Sequence, residues 1–267
     1  MIVYAKDFTF NTRSLSDISN DLVVASFEDG SSSGDLILGR TVNRSSITYD
    51  QPQTFDYGAI DTDVYTFDIT IMRKDGDFLT KSEIKALTGW LMSPVTPKWI
   101  YFERCGDRGM VYDDVFYKGR FVRSSYIDVG VSNKVGIKFE FENISPYGYT
   151  EEKTFTIAGD TVEPIVNTGT YVGKKILPVI TIRPTETGTV TIDNEDDDIP
   201  PFSIDVVSGL DVTIQNHYCT LNNGNFYDFS NLNNYNWVTL KDGINHIAVT
   251  GDCEVELKVR FYEAVGV

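Results

Sequence analysis

Two histidines and three cysteines in 267 residues leave little room for imidazole or thiol chemistry. Cys105, Cys219 and Cys253 are odd in number, far apart and never in a CxxC pair. Neither a disulfide framework nor a cysteine-rich zinc site is expected, and all three read as free thiols. No run of about 18 apolar residues occurs, which excludes a transmembrane helix. The opening MIVYAKDFTF lacks the roughly 7–15-residue apolar core of a secretory signal, so a chain made and folded in a cytosol is expected. Basic residues are scarce too: 23 Lys+Arg against 39 Asp+Glu give a net charge of −16. Such a surface repels a phosphate backbone, so nucleic-acid binding is not expected. GxGxxG, GxxxxGK[ST], GxSxG and HExxH are all missing, which removes the motif-level warrant for phosphate-cradling, nucleophile-elbow and zincin chemistry. The sequence assigns no catalytic residue, no cofactor-binding residue and no metal ligand, and no enzyme is expected.

Aromatics are plentiful by contrast: 15 Tyr, 16 Phe and 3 Trp, accompanied by 21 Gly and 9 Pro. Aromatic side chains pack well on a pleated surface and Gly and Pro break it, so a mainly β protein of many short strands is predicted. In the first half, strands are expected at Ile2–Tyr4, Phe8–Phe10, Leu22–Phe27, Asp63–Arg73, Lys98–Phe102, Asp113–Arg123 and Gly136–Asn143. Leu36–Leu38 and Thr41–Ile47 follow the flexible EDGSSSG turn and suggest a ribbon reaching out from the body. In GIKFEFEN, Ile137, Phe139 and Phe141 face one way and Lys138, Glu140 and Glu142 the other, as a sheet with one wet side requires. One helix stands out: Thr80 and Glu83 form a capping box, Ile84, Leu87 and Leu91 share a face, and Pro94 and Pro97 end it.

The turn-forming Ser145-Pro146-Tyr147-Gly148-Tyr149 suggests a boundary, giving domains at 1–148 and 149–267. From Glu151 onward there are 7 Lys+Arg and 18 Asp+Glu, a charge of −11, against 16 and 21, or −5, in residues 1–150. Strands at Lys153–Ile157, Lys175–Arg183, Gly188–Ile192, Ser203–Val207, Asp211–Gln215, Cys219–Leu221, Gly243–Thr250 and Cys253–Phe261 recur at intervals of about 8–12 residues, the spacing of an antiparallel sandwich.

Four groups invite a functional reading. His246 alternates with apolar neighbours and is expected on the wet face of a strand. His217 and Cys219 are two residues apart, a spacing that shares a face without making a nucleophile–base contact. The run Asp193-Asn194-Glu195-Asp196-Asp197-Asp198 has the carboxylate density that Ca²⁺ needs, but not the spacing of an EF-hand loop; a solvated turn is expected and calcium is the alternative. Tyr227, Tyr235 and Trp237 could offer ring faces to a sugar, with core packing the commoner use of such residues.

The order of features resembles a family, the phage distal tail proteins, which form the hub ring between tail tube and tip in long-tailed phages. Phe8-Thr9-Phe10-Asn11 with Ser14 and Asp17 is similar to the family's start, and Val24-Ala25-Ser26-Phe27 to its second strand. Phe67–Arg73 with Lys74-Asp75-Gly76, the helix ending Trp90-Leu91-Met92, and Phe139–Tyr149 with its Ser-Pro-aromatic turn continue the likeness. So does Leu240–Gly251, similar to a late strand pair built on Leu-x-x-Gly-x-Asn-x-Ile.

The resemblance implies an N-terminal ring-forming β domain with one helix, pairing strands across subunits in a usually hexameric ring, and a C-terminal galectin-like β-sandwich outside it. The helix at Thr80–Met92 would pack on the outside of the ring. Without a long insertion in the second domain, an added carbohydrate-binding module is not expected. The implied function is structural: a virion hub joining the tail tube to the tail tip or baseplate and its adhesion proteins, with a central channel for DNA. Implied partners are further copies of the chain, the tail tube protein and tip, baseplate or receptor-binding proteins, with no membrane insertion. The implied location is the distal end of the tail, after assembly in the host cytoplasm. A net-negative lumen would not hold a polyanion, and a ribbon such as Leu36–Ile47 can complete a neighbour's sheet edge while closing the oligomer. The alternative function is a carbohydrate-binding β-sandwich module using Tyr227, Tyr235 or Trp237.

Overall fold

The computed structural model describes residues 2–5, 7–26, 40–47, 53–61, 66–103, 115–129, 133–215, 218–221 and 234–264. These hold a mainly β fold in two compact units, one containing Met1–Gly148 and the other Tyr149–Glu263.

The first unit carries β1 (Ile2–Ala5), β2 (Phe8–Phe10), β3 (Arg13–Ser14), β4 (Leu22–Ser26), β5 (Arg40–Ile47), β6 (Gln53–Asp61), β7 (Thr66–Arg73), α1 (Lys81–Met92), β8 (Lys98–Phe102), β9 (Phe116–Val129) and β10 (Asn133–Asn143). Eight strands of a ten-stranded sheet follow the order β1-β4-β7-β10-β9-β8-β2-β3, with the short β11 (Gly148–Tyr149) also pairing β9, while among the described residues β5 and β6 pair with each other as a two-stranded ribbon. The predicted Thr41–Ile47 segment is thus one ribbon strand and Gln53–Asp61 the other; Leu36–Leu38 lie outside the described residues.

The core covers one face of the large sheet. Ile137, Phe139 and Phe141 are fully buried there, as their alternation predicts, beside Phe8, Phe10 and Ile71. The helix closes over them. Thr80 accepts from the Glu83 amide at 3.2 Å and the Thr80 amide donates to the Glu83 carboxylate at 2.7 Å, so the capping box forms as expected. Leu87 and Leu91 are buried and Ile84 half-buried on the core side, each full burial contributing roughly 2 kcal/mol. Trp90 joins them: it stacks on Phe8 at 5.1 Å and its Nε1–H donates to the Phe10 carbonyl at 3.0 Å. Arg73 secures the helix start, donating to Glu83 at 3.0 Å and to Asp75 at 2.9 Å.

Strand β7 is buried on both faces toward its end, because Met72 packs with Val23 and Ala25 in a small cluster on the opposite face from Ile69 and Ile71. One expectation needs correction in this unit. Strand β9 runs past Arg123 to Val129. Ser124–Asp128 shows no apolar alternation because the ladder to β10 holds that stretch without burying it.

The second unit begins after β11 (Gly148–Tyr149), which straddles the boundary, and holds β12 (Lys153–Ala158), β13 (Thr161–Asn167), β14 (Val179–Pro184), β15 (Gly188–Asn194), β16 (Phe202–Val206), β17 (Val212–Gln215), β18 (Tyr218–Leu221), β19 (Gly243–Thr250), β20 (Cys253–Val259) and β21 (Tyr262–Glu263). One sheet has the order β12-β20-β14-β17-β18, a second the order β13-β19-β15-β16. Alternate residues of both, among them Ile182, Val255 and Leu257 from the first and Ile192, Ile204 and Ile247 from the second, enter one shared core, which makes a sandwich.

The strand expected at Lys175–Arg183 starts only at Val179, since Pro178 has no N–H to give a ladder, and Ile176 instead bridges Leu240. Sequence inspection misses β13, because Ile165 is the only fully buried side chain in its seven residues. The β12–β13 turn requires Gly159: a Cβ there would lie 1.9 Å from the Gly251 carbonyl oxygen.

Candidate functional site

The outer half of the β9–β10 hairpin is exposed. Strand β8 pairs with β9 only from Phe116 to Gly119, whereas β10 pairs with it as far as Val129. Among the described residues, β8 has no ladder partner on β9 beyond Gly119. Val122, Arg123, Ser124, Ser125 and Tyr126 are all exposed, Val122 at 39% and Tyr126 at 47%. Polar contacts hold this half of the hairpin to its neighbours: Arg123 to Glu140 at 3.5 Å, Lys134 to Asp128 at 3.6 Å, and the Lys134 ammonium 3.4 Å above the Tyr126 ring. The terminal edges of the sheet are short, four residues in β1 and two in β3.

The acidic run of the second unit departs from a plain solvated turn. Glu195 and Asp198 are exposed, but the Asp197 side chain is only 5% exposed. It accepts from Lys175 Nζ and, at 2.5 Å, from Thr239 Oγ1. Burial pushes its pKa up, yet these donors outweigh burial and leave the carboxyl below the ordinary carboxylate range. Asp196 Oδ2 takes the His246 amide at 2.7 Å and lies 2.8 Å from His246 Nδ1, and the His246 donors hold this carboxyl low as well. His246 is on the wet face of β19, as predicted. Asp196 and Asp197 therefore go to separate partners, His246 for the first and Lys175 with Thr239 for the second. Among the described residues, no group of three or more His, Cys, Asp or Glu side chains converges as a metal ion would require.

Beneath this turn lies a device that sequence inspection misses. Asn245 is fully buried and its Oδ1 accepts from the Lys241 amide at 2.8 Å and from Asn194 Nδ2 at 2.9 Å. Asn245 Nδ2 donates to the Lys241 carbonyl at 3.0 Å, and Asn194 Nδ2 also donates to the Thr239 carbonyl at 2.8 Å. The signal was present in the alternation: Asn245 stands in phase with Ile247 and Val249, an amide at an inward position.

Trp237 is half-buried and stacks on Phe202 at 5.7 Å, lining a shallow apolar recess with Pro178, Ile180 and Ile214. Tyr235 is 63% exposed, and Tyr227 lies outside the described residues. Cys219 and Cys253 are buried free thiols; burial pushes Cys219 up to about 11 and, with help from Asp160 and Asp252, raises Cys253. Cys105 and His217 are outside the described residues.

Comparison with known proteins gives this geometry a context. The phage tail protein N-terminal domain matches residues 3–145, and the phage tail C-terminal domain matches residues 147–259. The chain belongs to the phage tail protein family. The fold of this tail protein is similar, with a TM-score of 0.61 and 15% identity over 96% of this chain and 98% of the other, to the crystal structure of SPP1 Dit (gp 19.1), described as a paradigm of the hub adsorption apparatus in phages infecting Gram-positive hosts. It is also similar to a chain of the phage P2 baseplate in its activated conformation with Ca, with a TM-score of 0.53 and 9% identity over 97% of this chain and 98% of that one. The P2 baseplate with Sr gives a TM-score of 0.53 and 10% identity over 95% and 97% of the two chains. No curated protein sequence matches the chain.

Proposed function

We propose that this tail protein is the distal tail hub of its phage: a structural virion protein whose copies close into a ring, six in number, between the tail tube and the tip or baseplate. The observation that carries this reading is the end-to-end fold likeness to SPP1 Dit, covering both units rather than one. In this reading the first unit forms the ring, with α1 outward, and the second is a galectin-like sandwich on the periphery, where tip, baseplate or receptor-binding proteins attach. The ring leaves a channel for DNA, and the net charge of −16 supports passage without capture. The role is assembly in the host cytoplasm followed by residence in the virion, not catalysis.

Native mass spectrometry with negative-stain imaging tests the proposal. The expected result is a closed hexamer with a central pore. A protein that stays monomeric at every concentration would overturn it. The carbohydrate-module alternative has less support because Trp237 is half-buried and stacks on Phe202.

A further inference from the structure

We infer that the outward face of β13 and β19, centred on Val162, Pro164, Val166 and Ile244, docks a different virion protein that presents apolar side chains flanked by Lys or Arg. The inference rests on the hub reading and goes beyond it by naming the surface on the second unit and the chemistry of what covers it.

Val162, Pro164 and Val166 of β13 lie opposite Ala248, His246 and Ile244 of β19, and directly opposed residues share a face. Ile165, Ile247 and Val249, one position out of phase, fill the core, so the first six point outward. Val162 and Val166 are 49% exposed and Ile244 53%, with Pro164 exposed between them. The outward face of the other sheet shows what water selects in this unit. There Thr156, Thr181, Glu254, Glu256 and Lys258 occupy the outward positions, with Arg183 donating to Glu254 at 3.1 Å and to Glu256 at 2.9 Å. Two outward faces of one sandwich thus differ in kind: one is polar and internally paired, the other carries a contiguous apolar stripe, the mark of an interaction surface.

The manner of approach and the partner follow from the same residues. β13 ends its sheet, and Pro164 in its middle has no N–H, so a strand added at that edge would lose a ladder bond. The partner therefore lies on the face. Seven residues of β13 and the neighbouring strand give a stripe of roughly 24 Å by 10 Å, well short of the roughly 800 Å² that each partner buries in a stable interface. A stable partner must also cover the rim, and the rim is acidic. Asp160 and Glu163 are exposed beside the stripe, Asp196 sits on His246, and the Lys241 ammonium is committed to the Asp196 carbonyl. From Glu151 onward the chain carries a charge of −11. A second copy would bring the same acidic rim and be repelled, whereas a surface with Lys or Arg around an apolar centre complements both features.

Photo-cross-linking in assembled tails tests this. Benzoylphenylalanine is placed at position 244 and, separately, at position 156 on the polar face; the tails are irradiated and the linked peptides sequenced by mass spectrometry. The expected result is that position 244 links to a segment of a different virion protein that holds apolar residues flanked by Lys or Arg, and that position 156 does not. In tails carrying Glu163→Lys, whose melting temperature should be unchanged, the yield of that link should fall about tenfold, because the reversed charge meets like charge on the partner. Tails that contain the chain but give at position 244 no link, links only to copies of this chain, or links to an acidic segment would overturn the inference and leave the hub reading standing. An undiminished link in the Glu163→Lys tails would overturn it as well. Tails of the unmodified phage that lack the chain altogether would remove the hub reading and the inference together.

Discussion

Replacing Asn245 with alanine should be among the most damaging single changes in the second unit, although the side chain is polar and lies one residue from a wet histidine. In the native state Asn245 Oδ1 is the acceptor for two donors, the part-buried Lys241 amide and one buried N–H of Asn194. Asn194 keeps its bond to the Thr239 carbonyl, so one of its two N–H groups is left alone. The Asn194 donor is buried and the Lys241 amide part-buried, and at about 1–3 kcal/mol for each orphaned donor the pair costs roughly 2–4 kcal/mol. For a unit of this size such a loss corresponds to a fall of roughly 10–20 °C in its melting temperature. Scanning calorimetry of the full chain is the suitable assay, because two units can melt separately and a single-probe curve would blur them. His246→Ala at the adjacent exposed position keeps the backbone donor to Asp196 and should move the same transition by less than about 1 kcal/mol. If Asn245→Ala and His246→Ala shift the transition equally little, the buried amide pair does not hold these strands and the reasoning fails.

In the first unit, Leu87→Asp should destabilise by several kcal/mol, about 3–5, by placing an unpaired charge under α1; an unchanged melting temperature would show that this face is not packed. Titration with a thiol reagent at pH 8 should label at most one of the three cysteines in the native protein and all three in urea, because burial suppresses the thiolates of Cys219 and Cys253. Rapid native labelling of two or three would contradict that burial. Acid should weaken the fold in a defined window. Hydrogen bonding by Arg73 holds Asp75 at about 2 against an ordinary 3.8, and Asp196 and Asp197 are also held low. Depressed carboxylates contribute stability above their ordinary value and lose it as pH falls through the folded value, so the melting temperature should drop between about pH 4 and 2. A flat profile across that range would refute the contribution of these pairs.

The sequence by itself determined what depends on neighbours along the chain. The capping box of Thr80 and Glu83, the helix face of Leu87 and Leu91, and the alternation of Ile137, Phe139 and Phe141 are local patterns that only one backbone conformation satisfies. The order of such patterns also pointed to a tail protein, since a family can share its succession of elements while its residues diverge. Tertiary structure alone decided what depends on partners far away in the chain. Residues 124–129 are strand because β10 bonds to them, not because they have an apolar face, and β13 is strand because β19 supplies its ladder. Asp196 and Asp197 read as a solvated acidic turn until His246, Lys175 and Thr239 arrive from elsewhere in the fold. Hydrophobic periodicity records which side of a residue faces the core; it carries no record of which distant backbone will meet its N–H and C=O groups.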